Sequence, residues 1–180
     1  MSLLSYRRLN ALLAENVIEG AEAEHVNSAS VDLILGNTIL VERPGYRVID
    51  MLDKSSDHFD EIIMGADGFV VEPGQFLLAH TTNVFNLPNT ISGHYMLKST
   101  MARNGMQHLM AGWCDAGWNG SVLTLEFKNE NQHTAVRIKP GMKCGQIVLF
   151  DHEPVPAEKS YAARGQYNGD KSVSAGKGLK

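Results

Sequence analysis

The chain of 180 residues has two cysteines, Cys114 and Cys144, and no C-x-x-C pair, which argues against a disulfide framework and against a structural zinc site. No run of 18 apolar residues occurs, so no transmembrane helix is expected. The opening Met1-Ser2-Leu3-Leu4-Ser5-Tyr6-Arg7-Arg8 is followed by no apolar stretch long enough for a secretory signal, and a cytoplasmic location is the expectation. A basic excess is also missing. The formal charge of -4 disfavours generic binding to nucleic acid or to a membrane surface, while leaving small anions open to local cations.

What is there fits one globular domain spanning 1–180, with 43% hydrophobic and 20% charged residues. Leu3, Leu4, Leu9, Leu12, Leu13, Val17 and Ile18 recur near helical spacing before Gly20, predicting an N-terminal helix within 1–20. After it the pattern turns short and β-like. Thr38–Val41, Gly68–Val71, Gln75–Ala79, Ser121–Phe127, Ala135–Ile138 and Gln146–Phe150 read as strands punctuated by Gly, Pro and Asn. Residues 50–67, acid-rich with few apolars, read as a variable loop, and residues 160–180, rich in Gly, Ser and Lys, as a flexible tail.

Chemistry concentrates between residues 98 and 127. Lys98-Ser99-Thr100-Met101-Ala102-Arg103 supplies hydroxyls and two cations suited to phosphate, and Asp115 stands beside Gly117 in Ala111 to Gly120. Glu126 lies inside Val122-Leu123-Thr124-Leu125-Glu126-Phe127. Alternation puts Leu123, Leu125 and Phe127 on one face and Val122, Thr124 and Glu126 on the other. A carboxylate there is either solvated or desolvated, and desolvation would raise its pKa into the range of proton transfer.

Lys98 to Arg103 resembles the phosphate-loop motif of dCTP deaminases, usually Arg-Ser-Ser-Leu-Ala-Arg, and Ala111 to Gly120 resembles their Ala-x-x-Ile-Asp-Pro-Gly-Trp/Phe-x-Gly turn. Asn27 to Gly36 is similar to their Pro-Ser-Ser-Val-Asp-Leu-Arg-Leu-Gly. Glu72 to Ala79 and Lys139 to Gln146 match two further segments in order. The resemblance, in register from about residue 27 to 170, implies a mostly β, jelly-roll-like barrel of the trimeric dUTPase type, with a short N-terminal helix, a C-terminal lid segment, and a homotrimer with sites between subunits.

It also implies roles. Glu126 matches the general base that activates water for attack on C4 of cytosine; Ser99 and Arg103 would order nucleotide and catalytic groups, with His108 in a supporting role. Lys98, Thr100, Met101 and Ala102 fall in the phosphate loop, Ala111 and Asp115 at the base and deoxyribose, and Thr124 and Leu125 among the substrate-binding residues. Gln146 matches a nucleotide-contacting position, and Tyr161, Gln166 and Asp170 belong to the tail that covers the triphosphate. The implied reaction is hydrolytic deamination of dCTP to dUTP and ammonia, feeding dUMP and dTTP synthesis; inhibition by dTTP is left open by the sequence. Magnesium would enter on the triphosphate, no protein metal ligand is expected, and the H-x-E with P-C-x-x-C signature of zinc deaminases is absent.

The chain departs from the family pattern in places. Lys98 replaces an arginine and loses its bidentate fork, Cys114-Asp115-Ala116 replaces Ile-Asp-Pro, and Gln166-Tyr167-Asn168-Gly169-Asp170 replaces Lys-Tyr-x-x-Gln, making Arg164 or Lys171 the substitute tail cation. Two alternatives stand beside the deaminase. One is a dUTP pyrophosphatase or bifunctional enzyme, with Asp115 orienting water toward the α-phosphate, although the Gly-rich Arg-x-Gly-Gly-Phe-Gly-Ser-Thr-Gly tail of dUTPases is absent. The other is a non-enzymatic nucleotide sensor on the same fold.

Overall fold

Hydrophobic alternation builds most of the molecule, seen here in a computed structural model that describes residues 1–54 and 57–179. Every strand pairing is antiparallel. In one sheet Ser2–Leu3, Lys143–Asp151, Ile91–Leu97 and Trp113–Cys114 lie side by side, and Val31–Ile34 also pairs with Lys143–Asp151. In the other the order is Phe59–Ile63, Thr38–Glu42, Phe76–Asn86, Asn119–Asn129 and Met106–His108, with Ile18–Glu19 on Phe76–Asn86. Val136–Ile138 and Phe69–Val71 form a separate ribbon. Leu33, Ile147 and Leu149 from the first sheet and Leu77, Leu125 and Phe127 from the second join one buried cluster, the two-layer arrangement of a jelly-roll-like fold.

The N-terminal helix is shorter than its apolar spacing suggests. It runs Tyr6–Ala14 and buries Leu9 and Leu12. Asn16, at φ 56°, then takes the left-handed conformation that Asn tolerates and turns the chain, so Ile18 enters a strand opposite Phe85. Leu3 belongs to a two-residue strand paired with Phe150.

Residues 50–67 are not all loop. Phe59–Ile63 pairs with Thr38–Glu42 at the sheet edge, burying Phe59 while Asp60 and Glu61 face solvent. Charge on an edge strand is a common guard against further pairing. Among the described residues no helix is long and apolar enough to cross a membrane.

Candidate active site

Asn119–Asn129 positions the central carboxylate. Its buried Leu125 and Phe127 fix the register against Phe76–Asn86, while Val122, Thr124 and Glu126, with Leu123 at an irregularity of the ladder, line a cavity of about 690 Å³. Glu126 stands across from Leu78, which also lines the cavity. Behind the strand, Met106–His108 pairs with Phe127–Asn129 and carries His108 into contact with Glu126. The His108 Nε2 to Glu126 Oε2 distance is 3.0 Å, and both atoms are buried without a well-aligned hydrogen-bond partner among the described residues. His108 is packed by the Tyr95 ring at 4.5 Å and the Phe127 ring at 6.3 Å, which confines the imidazole beside one carboxylate oxygen.

The floor of the cavity comes from the turn at 115–118. Trp118 N–H donates to Asp115 O at 3.2 Å, and Gly117, at φ 84°, occupies the position that needs a left-handed residue. A Cβ at Gly117 would also collide with Ser160 Oγ. The turn sets Trp118 against Phe85, with ring centroids 5.1 Å apart, and lets Asp115 accept from Trp113 Nε1 at 3.0 Å. Cys114 lines the same space, but burial pushes its thiol up to about 12, which keeps it protonated and unreactive at neutral pH.

The segment after Ser160 forms the outer wall. Ser160 caps the short helix Tyr161–Arg164, and the chain then runs along the strand Asn119–Asn129. Trp118 Nε1 donates to Tyr167 O at 3.1 Å, Val122 N to Asp170 O at 2.9 Å, and Ser174 N to Thr124 Oγ1 at 3.3 Å. Lys177 Nζ donates to both Asp170 carboxylate oxygens at 2.7 Å and lies 4.8 Å from the Tyr167 ring centroid. Leu179 N reaches Met51 O at 2.8 Å, joining the tail to the 49–53 loop that also lines the cavity. Burial raises the pKa of the Tyr161 hydroxyl in this wall, leaving it a donor.

Of the residues singled out from sequence, Glu126, Thr124, Ala111, Asp115, Tyr161, Gln166 and Asp170 line the cavity together. Lys98, Ser99, Thr100, Met101, Ala102, Arg103 and Gln146 do not. His108 sits behind Glu126, and Leu125 and Met101 point into the core, 0% and 6% exposed, so their side chains have no face toward a ligand. Ser99–Arg103 is a one-turn helix with Ser99, Thr100 and Arg103 on the surface. Lys98 Nζ lies 2.7 Å from Asp32 Oδ1. Lys177 was not among the tail cations anticipated; Arg164 instead approaches Asp115 at 3.9 Å, and Lys171 is exposed. Only the Gly-flanked setting Gly176-Lys177-Gly178 hinted at a lysine free to fold inward.

A carboxylate held by an imidazole in the wall of a nucleotide-sized cavity accords with what the chain matches elsewhere. The model of the dCTP deaminase-like family matches residues 3–152. The chain belongs to the dCTP deaminase-like family. Relatives named "dCTP deaminase, dUMP-forming" include one from Persephonella marina, 32% identical over 96% of this chain and 95% of its own, and one from Methanopyrus kandleri, 36% identical over 98% and 96%. Among solved structures, the 2'-deoxycytidine 5'-triphosphate deaminase of Agrobacterium tumefaciens superposes with a TM-score of 0.68 at 20% identity, covering 83% of this chain and 48% of that one. This chain therefore spans about half the length of that structure. A dUTPase from phage phi11 of S. aureus gives 0.50 at 17% identity, covering 82% and 92%. These likenesses bear on fold alone, and the dCTP deaminase-like chain shares the mostly β, dUTPase-type architecture expected of it.

Proposed function

We propose that this protein hydrolytically deaminates dCTP, with Glu126 as the general base. The observation that carries the reading is the Glu126 carboxylate, 3.0 Å from the His108 imidazole and facing a cavity of about 690 Å³. Glu126 takes a proton from water as the oxygen bonds to C4 of the cytosine ring and delivers it to N3, then takes the proton of the resulting C4 hydroxyl and delivers it to the amine as the C4–N bond breaks, so that dCTP and water give dUTP and ammonia. His108 keeps the carboxylate aimed through these proton transfers. Asp115 offers acceptors to the sugar, and Tyr161 and the tail exclude bulk water.

The phosphate loop is the part that one subunit does not bring to its own Glu126 cavity. A homotrimer supplies it, with Ser99 and Arg103 of one subunit reaching the cavity of the next. Magnesium would arrive on the phosphate oxygens of the nucleotide, which are hard ligands for it.

A second reading concerns the product. The relatives are named as dUMP-forming, which favours a bifunctional enzyme that also removes pyrophosphate, with Asp115 orienting water toward the α-phosphate. Incubation with dCTP, following ammonia, pyrophosphate and nucleotide, tests both. Ammonia with dUTP supports simple deamination, ammonia with dUMP and pyrophosphate supports the bifunctional form, and no ammonia overturns the deaminase.

A further inference from the structure

A second polar cluster lies outside the cavity, on the other sheet. Asp32, Gln146 and Met96 are register partners across three adjacent strands, and Lys98 follows Met96 by two residues. Lys143 begins the middle strand, where a bulge between Lys143 and Gly145 re-aims its side chain. The two lysines converge: Lys98 Nζ is 2.7 Å from Asp32 Oδ1 and Lys143 Nζ is 2.9 Å from Asp32 Oδ2. Asn27 Nδ2 donates to the same carboxylate at 2.8 Å.

Charge counting shows what this arrangement does. Asp32 is 3% exposed, and a buried carboxylate does need a counter-charge, but one ammonium with the Asn27 amide would neutralise and solvate it. The second ammonium is excess. Holding two lysines on one carboxylate costs side-chain freedom at both, and it leaves a net positive charge on side chains that are 29% and 48% exposed. Ser30 Oγ donates to Gln146 Oε1 at 3.2 Å, which leaves the Gln146 amide nitrogen as a further donor without a partner among the described residues. The open groups are thus donors and cations, the composition of an anion site. The overall charge of -4 argues against a nucleic-acid strand as that anion.

We propose that Lys143, paired with Lys98 across Asp32, binds the terminal phosphates of the nucleoside triphosphate. Lys98 stands where a single arginine fork is usual in the phosphate loop, and an ammonium alone cannot reproduce two parallel donors. Two ammoniums fixed on the two oxygens of one carboxylate restore two-point contact. Asp32 acts as the positioning residue, setting the spacing of the pair. The loop that follows, Ser99–Arg103, leaves the same place, since Lys98 N donates to Cys144 O in the neighbouring strand. This deepens the deamination reading and depends on it only for the identity of the nucleoside.

The test uses inorganic tripolyphosphate as probe, by calorimetry on the full chain, alongside dCTP turnover. Lys143→Gln changes a half-exposed side chain and leaves the buried Asp32 paired with Lys98, so the fold is retained. Tripolyphosphate affinity should fall by at least about tenfold in Lys143→Gln, remain within about threefold in Lys143→Arg, and stay unchanged in Lys139→Gln, a surface charge control. KM for dCTP should rise by about tenfold at unchanged kcat, while dCMP binding is unaffected. Equal tripolyphosphate affinity in the wild-type protein and Lys143→Gln, or no wild-type binding, overturns the proposal. Lys143-dependent tripolyphosphate binding without ammonia release from dCTP would uphold it and sink the deamination reading instead.

Discussion

Glu126 is 26% exposed at its side chain, at a strand position whose own face includes Val122 and Thr124 and whose reverse face is core. Alternation made the two faces legible in the sequence, but not which of them meets solvent. His108 settles that, from a strand three residues long, and its contact with Glu126 depends on pairing that no local pattern encodes. Glu126→Gln is isosteric and should fold and bind nucleotide, yet lose deamination by about 10²–10⁴-fold, the usual share of a general base. Retention of more than about a tenth of wild-type turnover, a barrier change below about 1.4 kcal/mol, would remove Glu126 from that role. Asp32 governs a different property. Its burial works to raise the carboxyl pKa, yet hydrogen bonds from Lys98, Lys143 and Asn27 outweigh burial and bring it from 3.8 to about 2. A carboxyl whose folded pKa is depressed stabilises the fold above its unfolded pKa and loses that contribution as pH falls through the folded value. Denaturant unfolding should therefore show about 2 kcal/mol lost between roughly pH 4 and pH 2, and Asp32→Asn should flatten that part of the profile.

At the scale of elements, plain apolar runs such as Gln146–Phe150 were readable, while Ile91–Leu97, broken by Ser92, Gly93 and His94, and Phe59–Ile63 were not. Phe59–Ile63 was masked by Asp60 and Glu61, which an edge strand tolerates because its outer face needs no burial. The helix overshoots on paper because Val17 and Ile18 keep helical spacing while serving a strand, and only the left-handed Asn16 marks the break. The tail is where composition is least informative. Gly, Ser and Lys read as disorder, yet the carbonyls of Tyr167 and Asp170 accept from the indole of Trp118 and the backbone of Val122, and Lys177 closes on Asp170. Such pairing joins residues with no periodic relation. Removing residues 161–180 deletes hydrogen bonds worth about 1 kcal/mol net each and releases the entropy of an ordered segment, two effects that largely offset. The melting temperature should shift by only a few degrees, whereas kcat/KM for dCTP should fall by at least about tenfold as the outer wall of the cavity is lost. Unchanged kinetics in the truncated protein would show that this wall takes no part in turnover.

At the scale of the molecule, the family resemblance grouped residues that a single subunit keeps apart. Glu126 faces the cavity, while Ser99 and Arg103 lie on the surface and do not line it. If the working site joins two subunits of a closed ring, two defective proteins can repair each other. Glu126→Gln retains a sound phosphate loop, and Arg103→Ala retains a sound base, so a trimer containing both has an interface at which one subunit supplies Glu126 and its neighbour Arg103. Random assembly of equal amounts places an intact pair at about a quarter of all sites, because each site needs one particular variant on each of its two sides. The two proteins should each be nearly inactive alone, elute at three times the chain mass, and regain about a quarter of wild-type ammonia release after being unfolded together and refolded. Separately refolded samples mixed at the end control for contamination and should stay inactive while subunit exchange is slow. A co-refolded mixture with no activity above its parents would place Arg103 and Glu126 of each working site on the same chain, and the ring would then be dispensable for catalysis.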